Sequence, residues 1–254
     1  YAYGFKKTKI LSIPLDIFVK FIYRNCSVLA ISSKGFKSKL EPYTKKNIDF
    51  YYAPNWADDL NMDMDAAYLS KEPKIHLTFA GNIGKVQNLE NIINAFNLLS
   101  EEYQKKSQLN IIGDGSNLHD LKLLAKNSIN IIFHGKKPRS KMASYYKASD
   151  FLIISLIDKP IFSVTVPAKT QTYIAAKKPI LAIINGDVAK IVNDNDLGVC
   201  SCPSDINIIK NAYERCIDMS EKEKSKFTAN NANLLETTFN KDSIISKLLA
   251  QLLN

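Results

Sequence analysis

Ile75-His-Leu-Thr-Phe-Ala-Gly-Asn-Ile-Gly-Lys-Val-Gln-Asn-Leu89 decides how the chain is read. Residues 75–79 read as a strand, with Ile75, Leu77 and Phe79 apolar, a two-glycine loop follows, and over 89–99 apolar residues recur at helical spacing. The alternation continues to the C-terminus. It predicts strands at 109–112, 129–133, 151–155, 180–184 and around Val199, and helices at 118–125, 141–147, 169–176, 188–192, 206–217, 221–235 and 242–253. Most strand segments are short, predominantly apolar runs, nearly continuous at 151–155 and 180–184, which means that both sheet faces are covered. The expected fold is therefore α/β, a Rossmann-like parallel sheet with helices on both faces, over residues 75–254.

Upstream, residues 10–24 read as an apolar helix entered near Pro14, 27–33 as a short buried strand, 34–40 as a helix and 48–52 as a strand. Pro54-Asn-Trp56 reads as a turn, and the acidic, polar stretch 57–74 as a linker or irregular segment. The chain begins with Tyr1 rather than Met, and the expectation is a fragment or a processed chain.

Composition narrows the class. With 254 residues, 46% apolar and 23% charged, the chain is globular and too apolar for extended disorder. Nine glycines and nine prolines exclude a collagen-like or Pro/Gly low-complexity chain. Four scattered cysteines (Cys26, Cys200, Cys202, Cys216) make no disulfide scaffold, and Cys200-x-Cys202 is neither a redox nor a zinc spacing, so a reducing, cytoplasmic setting is expected. The net charge is +9, and residues 1–46 concentrate it, with ten Lys or Arg against Asp16 and Glu41. Such a region favours anionic partners. No run reaches the roughly 18 apolar residues of a membrane span.

Seven of the nine glycines (Gly81, Gly84, Gly113, Gly115, Gly135, Gly186, Gly198) fall at strand–helix connections, where open α/β sheets bind ligands. Each either admits a ligand to the backbone or simply makes a turn. The loop from Gly81 to Gly84, entering a helix near Gln87, is an anion site or a tight turn. Ile112-Gly-Asp-Gly-Ser-Asn-Leu118 resembles a dinucleotide fingerprint but has Leu118 at the third glycine position, which disfavours NAD. Its Asp114 holds a hydroxyl or sits in the turn. His134-Gly-Lys-Lys-Pro-Arg-Ser-Lys141 is a basic loop, equally well explained as a solvated one. In Ser163-Val-Thr-Val-Pro-Ala-Lys-Thr-Gln-Thr-Tyr173, Pro167 marks a helix start and Lys169 falls in its first turn. A cation disfavours the positive end of a helix, so Lys169 makes most sense facing an anion there. The three histidines are isolated and no metal-spaced cluster is present.

In this order the stretches resemble the C-terminal nucleotide-sugar domain of GT-B glycosyltransferases. More narrowly they are similar to retaining family 4 enzymes of bacterial capsule and O-antigen assembly, the WbuB-like subgroup. The matching residues are Ala80-Gly-Asn-Ile-Gly-Lys-Val-Gln-Asn-Leu89, Ile112-Gly-Asp-Gly115, Tyr145-Tyr-Lys-Ala-Ser-Asp150, Thr165-Val-Pro-Ala-Lys-Thr-Gln-Thr-Tyr173, Lys178-Pro-Ile-Leu181 and Asn185-Gly-Asp187. Residues 1–56, with Ser32-Ser33 and Pro54-Asn-Trp56, look like the end of the family's N-terminal domain and the crossover.

The resemblance implies a donor site in which Lys169 and the amides near Pro167 and Ala168 hold phosphates and the loop of Gly81, Asn82, Gly84 and Gln87 approaches the pyrophosphate. Gly113 and Gly115 would pass close to the nucleotide, and Gly135, Lys136 and Lys137 would border the base. It implies a nucleotide-sugar donor, a UDP-sugar ahead of a GDP-sugar, no metal or other cofactor, and a lipid-linked glycan or polysaccharide acceptor. Thr165 belongs to the donor loop. Where many family 4 members carry two glutamates eight positions apart this chain has Val164 and Thr172, and where many have Arg and Lys it has Asn82 and Gln87. The acceptor half and its catalytic histidine would precede Tyr1, so the chain alone is expected to bind a nucleotide sugar but turn it over poorly.

Residues 1–46 would lie against an anionic membrane, or helix 10–24 would be an interdomain helix. A sugar-nucleotide epimerase and a non-catalytic nucleotide-sugar-binding subunit stand as alternatives. Nucleic acid is not an expected partner, since no recognised binding signature accompanies the basic residues.

Overall fold

The computed structural model describes residues 9–57, 60, 62–70 and 74–253. Lys6 and Lys7 of the basic segment, and parts of the 57–74 stretch, lie outside the described residues.

Six strands form one sheet: β3 (Ile75–Ala80), β4 (Ser107–Ile112), β5 (Ile131–Gly135), β6 (Phe151–Ser155), β7 (Ile180–Ile183) and β8 (Gly198–Ser201). Their order is β5-β4-β3-β6-β7-β8 and every pairing is parallel. Two upstream strands, β1 (Val28–Ile31) and β2 (Asp49–Tyr52), make a separate parallel pair, with α2 (Phe36–Leu40) in the connection between them.

Side chains alternate between two cores, as the pleat requires. Leu77, Phe79, Leu109, Ile111, Phe151, Ile153, Leu181 and Ile183 face one core, with α3 (Leu89–Asn97), α5 (Leu118–Leu124) and α10 (Ile206–Ile217) over it. Leu152, Ile154, Ile180 and Ala182 face the other, under α6 (Met142–Ala148), α8 (Lys169–Ala175) and α9 (Asp187–Asp194). α4 (Glu101–Lys106) and the one-turn α7 (Pro160–Ser163) are short connectors. α11 (Glu221–Thr237) opens with a reciprocal Ser220–Glu223 capping box, and α12 (Lys241–Leu253) closes the chain. The two-faced parallel sheet is the expected one.

Three expectations need correction. Strand β5 begins at Ile131 instead of 129, because Ile129 is 87% exposed while Ile131 is buried. α1 (Lys9–Arg24) already runs before Pro14, which lies within it rather than at its entry, just past the turn whose N–H groups lack partners in any helix. The described residues of 57–74 have no regular structure, yet they are pinned down. Ser144 and Leu69 carbonyls accept from Ala67 N and Gln108 Nε2, both at 2.9 Å, and Leu60 and Met62 pack on the second core.

α1 is turned the opposite way from an ordinary surface helix. Asp16, Val19, Lys20 and Tyr23 are half-buried, whereas Ile13, Leu15, Ile17, Phe18 and Phe21 are each at least 60% exposed. Lys20 pairs with Asp16 at 3.1 Å and stands 5.7 Å from the Tyr43 ring centre, which holds the polar side inward. Among the described residues, no helix is long and apolar enough to cross a membrane.

Candidate functional site

In this strand order the chain leaves β3 in one direction to build β4 and β5 and returns on its other side to build β6. The carboxyl ends of β3 and β6 are therefore the switch point, where connections diverge and leave a crevice. The connection after β3 carries Gly81 to Gln87, and the one after β6 runs through α7 and residues 164–168 into α8 with Lys169.

The two meet directly. A Cβ on Gly81 would stand 2.9 Å from Lys169 Nζ, so the ammonium lies against this turn, and a side chain there would displace it. Lys169 Nζ also stands 4.0 Å from the centre of the Phe79 ring, within cation–π range. One helical turn on, Tyr173 lies on the same side of α8. Its hydroxyl donates to Ala80 O and lies 3.2 Å from Ala80 N as acceptor, clamping α8 to the end of β3. Lys169 keeps some exposed surface, but its ammonium end is enclosed, and burial pushes its pKa down to about 7.

Beside this pair lies a cavity of about 610 Å³. Gly81, Asn82, Gly113, Gly115, Lys136 and Lys137 line it, together with Met142 and Tyr146. Lys137 Nζ lies 5.7 Å from the Tyr145 ring centre, and Tyr145 meets His134 edge-on. The His134 pKa is lowered, by burial first and then by Lys137 and His76. Burial raises that of Tyr146 to about 12. The wall thus carries two lysines and no carboxylate other than Asp114.

Several expected roles change. Gly113 (φ +144°) is glycine because a Cβ there would lie 1.8 Å from Gly81 O, and one on Gly115 would lie 2.4 Å from Ile83 O. The two connections pack backbone to backbone, with Ile83 N donating to Asp114 O and Asn117 N to Ile83 O. These glycines line the cavity, but what demands them is the neighbouring loop. Gln87 turns inward, its Oε1 accepting from Gly84 N at 3.0 Å, so it caps its own turn. Asp114 likewise accepts from Gly115 N at 2.8 Å, which is the turn role. Gly135 (φ +68°) faces open space.

Val164, Thr165, Pro167, Ala168, Lys169 and Thr172 do not line this cavity, and Lys169 is joined to it through Gly81, which does. The Thr165 and Thr172 hydroxyls donate to Ile161 O and Ala168 O. Val166 lines a second cavity, of about 290 Å³, with Ser33, Lys34, Tyr52 and Asp187. Sequence reasoning gave no role to Met142, Tyr146 and Tyr173. The signal for Tyr173 was available, since it follows Lys169 by one helical turn.

The glycosyl transferases group 1 family model matches residues 63–233, a span that includes both connections and all six sheet strands. The chain belongs to the group 1 glycosyl transferase family. Among curated relatives, a probable glycosyltransferase of Pseudomonas aeruginosa, WbjE, is 25% identical over 209 residues, covering 78% of this chain and 51% of WbjE. The chain therefore spans about half the length of that relative.

Two solved structures show the fold this member adopts. Sucrose-phosphate synthase from Thermosynechococcus elongatus aligns over 99% of this chain and 65% of its own, with TM-score 0.74 and 16% identity. Anabaena HepE in complex with UDP and glucose aligns over 94% of this chain and 66% of its own, with TM-score 0.74 and 13% identity. Among the described residues, no group of three or more His, Cys, Asp or Glu side chains could hold a metal ion.

Proposed function

We propose that this group 1 family member is the donor-binding portion of a retaining, family 4, WbuB-like glycosyltransferase. It takes a sugar from a nucleotide sugar, with UDP as the nucleotide, and passes it to a lipid-linked or polysaccharide acceptor without a metal. The observation that carries the reading is the Lys169 ammonium seated on Gly81 at the switch point, beside a cavity with Lys136 and Lys137 on its wall. Lys169 reaches the Gly81 turn from one connection and Lys136 and Lys137 line the cavity from another, so basic groups of two connections flank the place proposed for the donor. HepE, with the same fold, has been solved with UDP-glucose and with UDP, which supports the nucleotide chosen.

The chemistry asked of these residues is electrostatic. As the glycosidic bond to the donor breaks, negative charge grows on the departing diphosphate, and an enclosed ammonium fixed by Tyr173 and Gly81 stabilises it without reorganising. Lys169 is thus the proposed catalytic residue. Lys136 and Lys137 lie nearer β5 and border the nucleoside end.

The test is calorimetric titration of UDP, GDP, ADP and NAD with and without EDTA. UDP is expected to bind best and EDTA to change nothing. Lys169→Ala should weaken UDP roughly tenfold or more, the loss of one charge-assisted contact. Unchanged affinity in that variant would remove the site assignment.

We further propose that α1 rests on an anionic membrane at its cytoplasmic face. Its outward apolar side and the net charge of +8 over residues 1–46 support this, ten basic against two acidic residues. Vesicle binding is the measurement.

A further inference from the structure

The connection after β6 does more than bring Lys169 to the Gly81 turn. Its residues 163–164 also carry the turn that follows β1. A Cβ on Gly35 would stand 2.8 Å from Val164 Cγ1 and 2.9 Å from Asp187 Oδ2, so the glycine allows a tight seat. Asp187, the first residue of α9, accepts from Gly35 N at 2.7 Å and from the hydroxyl of buried Ser33. Behind it, Gly186 (φ +84°) is pressed against the same connection, where a Cβ would lie 1.8 Å from Ser163 O. Turn 33–35, Asp187 and residues 163–164 form one packed joint.

That joint lies a few residues upstream of Lys169. The connection's own side-chain bonds are local, Ser163 Oγ to Pro160 O at 2.9 Å and Thr165 Oγ1 to Ile161 O at 2.7 Å. They shape the segment without placing it. It is placed at its start by Ile157 N, which donates to Val86 O at 3.0 Å, in its middle by Phe162 and Val166 buried in the second core together with the joint, and at its far end by Tyr173 on β3.

We propose that Asp187 is a positioning residue. By docking turn 33–35 on residues 163–164 it fixes the connection that carries Lys169, and so couples seating of the β1–β2 unit to occupancy of the donor cavity. The coupling rests on the donor-site reading above, and it is reciprocal: a nucleotide diphosphate that orders the connection also strengthens the joint.

Trp56 is the single tryptophan and follows β2 by four residues, so its emission reports on that unit. UDP titrated into the 254-residue chain is expected to bind and to shift Trp56 emission. Asp187→Ala should bind UDP roughly tenfold more weakly, the loss expected for hydrogen bonds to a charged acceptor, and the Trp56 response should vanish. Ser33→Ala removes one of the two bonds, keeps both backbones, and should move both readouts the same way. It carries the test if Asp187→Ala does not fold.

Wild-type affinity and wild-type Trp56 response in these variants would overturn the proposal. Weaker binding with an undiminished Trp56 response would overturn it too, as local damage without coupling. Absence of UDP binding by the wild-type chain would instead bring down the donor-site reading, and the coupling with it.

Discussion

Lys169 is costly where it stands. An ammonium enclosed against Phe79 and Gly81 has lost water, and among the described residues it has no ion-pair partner in return. Its pKa of about 7 in the native chain compares with 10.5 in the unfolded one. Between these values the unfolded state holds the extra proton, so stability rises with pH across that window and the penalty is full below it. Lys169→Met should therefore raise the melting temperature of the ligand-free chain near neutral pH and flatten its pH dependence.

A diphosphate reverses the balance by restoring the charged form. Binding of UDP at about pH 8 should take up about one proton, read by calorimetry in buffers of different ionisation enthalpy. Lys169→Met should take up none. Uptake that persists in the variant would show that another group titrates. This lysine was legible in the sequence because a cation in a helix's first turn contradicts the helix dipole. The joint at Asp187 was not, because its bonds to Ser33 and Gly35 span 154 and 152 positions with nothing local to mark them.

At the scale of elements, the glycine-bearing connections separate turn-making from packing. Gly113 and Gly135 both have positive φ, but their surroundings differ. A methyl group at Gly113 meets the Gly81 carbonyl, and one at Gly135 meets nothing within 4 Å. Gly135→Ala should cost only the backbone term, about 1–2 kcal/mol. Gly113→Ala should cost on the order of 3–4 kcal/mol, because two connections must part. Urea unfolding of the two variants measures the difference, and equal costs would mean that the loops are not locked together.

The same contrast explains what the sequence could tell. Strands β6 and β7 were legible because each is a short, almost wholly apolar run buried on both faces, and β6 was found at its observed bounds, Phe151–Ser155. α4 and α7 were missed, since helices of six and four residues are too short to show a period. β5 was displaced because Ile129 lengthens the apolar run while standing in solvent. Glycines announced the connections, but whether each faced a ligand or a neighbouring loop depended on long-range packing that no local pattern carries.

For the whole molecule, charge and apolar surface are distributed together. The buried residues of the two cores span 77–239, and among the described residues none of α1 contributes to either. It presents Ile13, Ile17, Phe18 and Phe21 outward. An anionic bilayer would bury those side chains and attract nearby lysines at roughly 1 kcal/mol each, an attraction that salt screens. The competing occupant is further polypeptide of a longer protein, packed on α1 and on the open edges of the β1–β2 pair.

Flotation of the 254-residue chain and of a longer natural form with vesicles separates the two. If the membrane covers the face, both forms float with anionic vesicles, stay behind with neutral ones, and are released by high salt. Phe18→Glu combined with Phe21→Glu should abolish flotation and leave UDP affinity intact, since neither residue is near the donor cavity. If only the shorter chain floats, polypeptide is what covers α1, and the membrane assignment falls while the donor site stands.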